Sequence, residues 1–209
     1  MTATPSPLAG KHIVVTRPAR QAVHLAEALQ AHGAHPILFP VLAIHDLDDM
    51  RLLHDIALQL DFFDIAVFIS PNAVERSLEH VLRHRSWPAR VRTATIGVSS
   101  RHALERYGIT DALVPSDRFD SEALLELPEF RDIAGKRIIV FRGEGGRELL
   151  VDSLQARGAE VVAVPCYRRD KPIGDASLLL KHWEDRTLDA ITLSSSEGLR
   201  NLHEMVGKL

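Results

Sequence analysis

Gly10-Lys11-His12-Ile13-Val14-Val15-Thr16-Arg17 and Gly135-Lys136-Arg137-Ile138-Ile139-Val140-Phe141-Arg142 are two versions of one stretch, 125 positions apart. The same offset lays Leu25 on Leu150, Leu29-Gln30-Ala31 on Leu154-Gln155-Ala156, Gly33-Ala34 on Gly158-Ala159 and Pro40 on Pro165. That makes 12 identities in 31 aligned pairs without a gap. It also lays Asp64-Ile65-Ala66-Val67-Phe68-Ile69-Ser70 on Asp189-Ala190-Ile191-Thr192-Leu193-Ser194-Ser195. One offset kept across two separated blocks marks an internal duplication, and so two similar lobes. The first copy continues to Leu124, whose counterpart would lie at 249, past Leu209. The second copy is therefore expected to be incomplete, with the C-terminal part of its lobe missing.

Each block runs from an apolar β-branched stretch through a turn of small polar residues into a helical period. Ile13-Val14-Val15 leads through Thr16-Arg17-Pro18 to a helix containing Leu25, Ala28 and Leu29, stopped by Gly33. Ile65–Ile69 leads to Ser70-Pro71-Asn72 and a helix through Val74, Leu78 and Val81. Thr95-Ile96 leads to Gly97-Val98-Ser99-Ser100 and a helix from about Arg101 to Arg106. Ile138–Phe141 leads to Arg142-Gly143-Glu144-Gly145-Gly146 and a helix ending before Gly158, and Ala190–Leu193 to Ser194-Ser195-Ser196-Glu197 and a last helix. Strands alternating with helices predict an α/β fold with parallel sheets. Ligands of such sheets bind beyond the strands' carboxyl ends, where helix N-termini offer unpaired N–H groups to anions. Ser70, Asn72, Ser100, Ser121 and Ser195 sit at these turns, as plain helix caps or as contacts for a ligand with many negative groups.

Composition narrows the function. The net charge of −3 argues against nucleic-acid binding driven by phosphate attraction. Of 25 basic residues five are Lys, leaving 20 Arg, the better residue for gripping carboxylates. The N-terminal residues do not read as a signal peptide, and no apolar run reaches membrane-span length, so neither membrane nor secretion is expected. The single Cys166 fits a reducing cytoplasm and reads as a packed side chain. Gly143-Glu144-Gly145-Gly146 is no dinucleotide fingerprint, because Glu148 occupies the third glycine's place. Ser194-Ser195-Ser196 is no nucleophile elbow. His80 and His84 share a helix face, but no carboxylate completes a set, so surface histidines and no metal are expected. Tyr167, in Val164-Pro165-Cys166-Tyr167, lies on a short strand where the chain crosses between lobes. Its phenol either faces a cleft as a proton donor or packs the linker.

The ordered motifs Thr16-Arg17-Pro18, Phe68-x-Ser70-x-Asn72-Ala73-Val74, Gly97-x-x-Ser100 and Phe119-Asp120-Ser121-Glu122-Ala123-Leu124 resemble the uroporphyrinogen-III synthase family. So do Phe141-Arg142-Gly143-Glu144-Gly145-Gly146-Arg147, Cys166-Tyr167-Arg168-Arg169 and Ser194-Ser195-Ser196-Glu197-Gly198-Leu199, so that the likeness spans about residues 10–209. It implies two α/β lobes, one of residues 1–38 with 171–209 and one of 46–163, joined by linker strands 39–45 and 164–170. It implies cyclisation of hydroxymethylbilane, a linear tetrapyrrole with eight carboxylates, to uroporphyrinogen III by a cofactor-independent cytoplasmic lyase. A monomer receiving substrate from hydroxymethylbilane synthase is the implied context. Tyr167 aligns with the family's tyrosine as the acid. Arg17, Ser70, Asn72, Gly97, Ser100, Ser121, Arg142, the Gly143–Gly146 turn with Glu144 and Gly145, Ser194 and Ser195 are the implied substrate contacts. Arg101 departs from the family's usual alanine. The rival reading is a non-enzymatic two-lobed module that senses an anionic metabolite.

Overall fold

The computed structural model describes residues 6–145 and 148–207. In chain order its elements are β1 (His12–Val15), α1 (Ala19–Ala31), β2 (His35–Leu38), β3 (Ala43–His45), α2 (Arg51–Leu58), β4 (Ile65–Phe68), α3 (Pro71–His84), β5 (Arg92–Thr95) and α4 (Val98–Glu105). These are followed by α5 (Ser121–Glu126), β6 (Arg137–Gly143), α6 (Leu149–Ala156), β7 (Glu160–Asp170), α7 (Ser177–Glu184), β8 (Ala190–Thr192) and α8 (Ser196–Val206). The fold is α/β, and the strand pairs resolved in both sheets are parallel.

Two compact units divide the chain: Met1–Ile44 with Arg169–Leu209, and His45–Arg168. The chain passes from one to the other within β3 and back within β7. The discontinuous unit carries a three-stranded sheet in the order β2-β1-β8, and the five-stranded sheet runs β3-β7-β6-β4-β5. In the continuous unit β4 and the centre of β6 are buried on both faces, as the unbroken apolar runs Ile65–Phe68 and Ile138–Phe141 require. Phe68 stacks on Phe141 at 4.9 Å between ring centres. Around Val67, Leu124, Phe130, Ile138 and Leu154 a continuous apolar core closes. A smaller core in the discontinuous unit gathers Val14, Phe39, Val41, Leu179 and Leu202.

The pairing registers repeat at one interval. Ile13 lies opposite Ala190, and Ile138 opposite Ile65. Likewise His12 faces His35, and Arg137 faces Glu160. Asp189 accepts from the His12 amide at 2.8 Å and binds Lys11 Nζ at 2.7 Å. At the corresponding places Asp64 accepts from the Arg137 amide at 2.9 Å and lies 3.9 Å from Lys136 Nζ. In each partnership, every residue number in one unit differs by 125 from its counterpart in the other.

Two expectations need correction. The helix after Gly97 begins at Val98, three residues before the expected Arg101. Gly97 is its N-cap and Ser100 lies within its first turn. A glycine cap supplies no side-chain oxygen, so the start is marked only weakly in the sequence. Ser121 is not a cap either: Asp120, one residue earlier, accepts from the Ala123 amide at 2.7 Å. Among the described residues no helix is long and apolar enough to cross a membrane.

Candidate active site

Parallel pairing of β6, β4 and β5 brings the ends of three strands side by side, and each opens into a different turn. After β4, Ser70 caps α3 by accepting from the Ala73 amide at 3.0 Å, and Pro71 occupies the first helical turn. Asn72 follows, half-buried in that same turn. After β5, Gly97 starts α4, and Thr95 Oγ1 ties the strand end to the Phe68 carbonyl at 2.7 Å. After β6 comes the turn beginning at Gly143, where a register shift between Arg142 and Gly143 breaks the ladder with β7.

That irregularity positions Tyr167. Gly143 pairs with Tyr167 across the bulge, and the Glu144 amide donates to the Tyr167 carbonyl at 2.9 Å. A Cβ on Gly143 would stand 2.8–3.0 Å from the tyrosine ring and hydroxyl, so only glycine leaves room for it. The ring is 4% exposed, and its hydroxyl meets Ser70 Oγ at 3.0 Å. Ser70 Oγ therefore serves two partners, the Ala73 amide and the phenol. Neighbouring Cys166 is fully buried, and burial pushes its thiol up to about 12, which leaves it protonated and unreactive.

Apart from Ser121 at the start of α5, the expected site residues fall into four groups. Ser70 and Gly143 meet Tyr167 at this sheet end, and Asn72 and Gly97 follow the ends of the neighbouring strands β4 and β5. Arg142 and Ser100 are drawn inward, 5% and 3% exposed, and the Arg142 guanidinium pairs with Glu148 at 3.0 Å. The Glu144 amide is occupied by Tyr167, so it is closed to a ligand, whereas the following Gly145 is exposed with φ +67°. Gly146, with the motif residue Arg147, lies outside the described residues. In the discontinuous unit Arg17 is exposed after β1, and Ser194 and Ser195 are exposed after β8. Ser195 caps α8 by accepting from the Gly198 amide at 3.0 Å. Helices α1, α3 and α4 carry no acidic residue in their first turns, so none of the three sets a carboxylate of its own first turn against its positive end.

Sequence reasoning missed the Ser70–Tyr167 hydrogen bond, which joins residues 97 positions apart. It also missed His54, brought by α2 against His80 and His84 of α3. Burial and the charges of His84, His54 and Arg83 hold His80 below the ordinary histidine range.

Small polar turns and helix starts without acidic first-turn residues stand at the ends of parallel strands, the arrangement of an α/β protein whose ligands bind beyond the strands' carboxyl ends. The family model described as uroporphyrinogen-III synthase HemD matches residues 23–209. The uroporphyrinogen-III synthase of Salmonella typhimurium is 36% identical over 191 residues, covering 91% of this chain and 78% of its own length. That of Escherichia coli K12 is 33% identical over 195 residues, covering 93% and 79%. This chain belongs to the uroporphyrinogen-III synthase family, a family of enzymes of haem biosynthesis. The fold is similar to that of a mutant uroporphyrinogen III synthase from the extremely thermophilic bacterium Thermus thermophilus, with TM-score 0.63 at 18% identity and coverage of 93% and 77%. It is also similar to the Helicobacter pylori 26695 uroporphyrinogen-III synthetase, with TM-score 0.56 at 12% identity and coverage of 95% and 79%.

Proposed function

We propose that this chain cyclises hydroxymethylbilane to uroporphyrinogen III with inversion of ring D and loss of water, as a cofactor-independent lyase. The observation carrying the chemistry is the buried Tyr167 hydroxyl hydrogen-bonded to Ser70 at the end of β4. A phenol held in one geometry suits general acid catalysis. Breaking the C–O bond of the hydroxymethyl group needs a proton on the departing oxygen, and Tyr167 supplies it. Water leaves as the C–O bond breaks, and the N–H proton of the pyrrole that carried the hydroxymethyl group passes to the phenolate, restoring Tyr167 and leaving a neutral, electrophilic azafulvene. Attack by the substituted carbon of ring D forms a spiro intermediate, whose reopening and reclosure invert that ring. The chain's remaining task is to hold the folded substrate and match its charge.

The eight carboxylates are assigned to turns and helix starts of both units. Ser70, Asn72 and Gly97 with Gly143, Gly145 and Gly146 serve in the continuous unit, and Arg17, Ser194 and Ser195 in the other. Ser100 and Ser121 lie in the first turns of α4 and α5, while Arg142 against Glu148 steadies the turn after β6. Internal duplication accounts for the two units, supported by pairings that recur 125 positions apart. The chain acts as a cytoplasmic monomer, taking bilane from hydroxymethylbilane synthase.

The test supplies fresh hydroxymethylbilane, oxidises the products and resolves the porphyrin isomers by chromatography. Spontaneous closure yields isomer I, so isomer III above a protein-free blank is the expected result. Isomer I alone, from protein that binds the bilane, would favour an anion-binding module instead.

A further inference from the structure

We propose that His54, His80 and His84 form a binding site for a borderline divalent transition metal, with Zn²⁺ as its reference ion, clamping α2 to α3. One ligand nitrogen from each lies within 4.8 Å of the other two, in a cluster to which α2 contributes one ring and α3 two. His80 and His84 are four residues apart and so share a helix face. His54 meets both edge-on, with ring centres 5.7 and 4.8 Å away. Neither helix has to move far. Zinc–imidazole bonds of about 2.0–2.1 Å place ligand nitrogens roughly 3.3 Å apart, a contraction that broad imidazole torsions absorb.

A second observation points the same way. His80 Nε2 is buried and has no hydrogen-bond partner among the described residues, a costly state for a ring nitrogen unless something occupies its lone pair. Beside the cluster lies an open surface depression of about 660 Å³ whose lining includes Asp48, Asp49, Arg51, His54, Asp55 and His80. Water from it completes a fourth coordination position. Asp48 and Asp55 give it negative character, Asp49 is tied to Arg51, and Arg83 opposes the cation. All-imidazole donors select zinc, copper and nickel over magnesium or calcium. His80 stands nine residues from Pro71, about 14 Å along α3, which separates this site from the Ser70 end of the helix.

The test titrates Zn²⁺ into the metal-stripped protein by calorimetry. One ion per chain with a micromolar dissociation constant is expected. His54→Gln and His80→Gln should each weaken binding more than the about 10–100-fold that loss of a supporting partner costs, while His24→Gln and His102→Gln leave it unchanged. No saturable binding at micromolar Zn²⁺, or full binding in the triple His54→Gln/His80→Gln/His84→Gln variant, would overturn the proposal. Co²⁺ in the unaltered protein decides without any variant. Intense visible bands of a four-coordinate ion support the site, and only the weak bands of the hydrated ion refute it.

Discussion

Several caps and strand pairings recur in the two units 125 positions apart, and the residues beside them differ. Ser70 and Ser195 cap α3 and α8 through amides three residues on, and Asp64 and Asp189 receive the first amides of β6 and β1. Yet Tyr167 in the continuous unit stands 125 positions from Leu42, and Gly143 from Pro18. One unit thus places a phenol and room for it beside the capping serine, while the other has an aliphatic side chain and a proline at those positions. Caps and amide pairings recur between the units, and the residues beside them do not. Covering of the sheets differs too: no residue of β2 or β8 in the discontinuous unit is fully buried, whereas Val67, Phe68, Ile138 and Phe141 of the other unit's sheet are.

The largest stability effect is expected at Gly143. Gly143→Ala drives a methyl group into the Tyr167 ring and should cost about 1–3 kcal/mol in urea unfolding. Pro18→Ala, its counterpart, should cost less than about 0.5 kcal/mol. Equal costs would break the comparison. Next come the caps: Ser195→Ala should lose about 1 kcal/mol. Ser70→Ala should lose that and up to about 1 kcal/mol more, since the buried phenol also loses its partner. Identical losses would mean that the Ser70–Tyr167 bond contributes nothing to stability.

The smallest effect is a pH dependence. Hydrogen bonds from Lys11 and then the His12 amide hold the Asp189 carboxyl below its ordinary value of 3.8. A lowered folded-state value means stability that is complete above about pH 4 and is lost as pH falls through that lowered value. Asp189→Asn should therefore be less stable than the wild type near neutrality, with the gap narrowing in thermal melts below pH 4. A gap independent of pH would remove the carboxylate's charge from the account.

Strand cores β1, β4, β6 and β8 were legible because each is an apolar, mostly β-branched run followed by small polar residues. Helices α2 and α7 were not, being eight residues each and without a side-chain cap at the N-cap position. Asp49 and Asp175 instead accept the amides of Arg51 and Ser177. The site was legible as a set of turns, since turn chemistry is local. Its centre was not: the bulge at Arg142/Gly143 leaves no trace in a period-two pattern, and the Ser70–Tyr167 bond depends on the tertiary pairing of β6 with β4 and β7. His54 escaped notice for the same reason, since only the packing of α2 on α3 brings it to His80.

The most direct test of the phenol's role is a single-turnover measurement of uroporphyrinogen III formation by Tyr167→Phe, with bilane binding followed in parallel. Removing one hydroxyl leaves the ring against Gly143 and the Ser70 cap in place. The account predicts a rate lower by about 100-fold with affinity essentially unchanged. Isomer III formed at the wild-type rate would contradict it and move the acid elsewhere in the site.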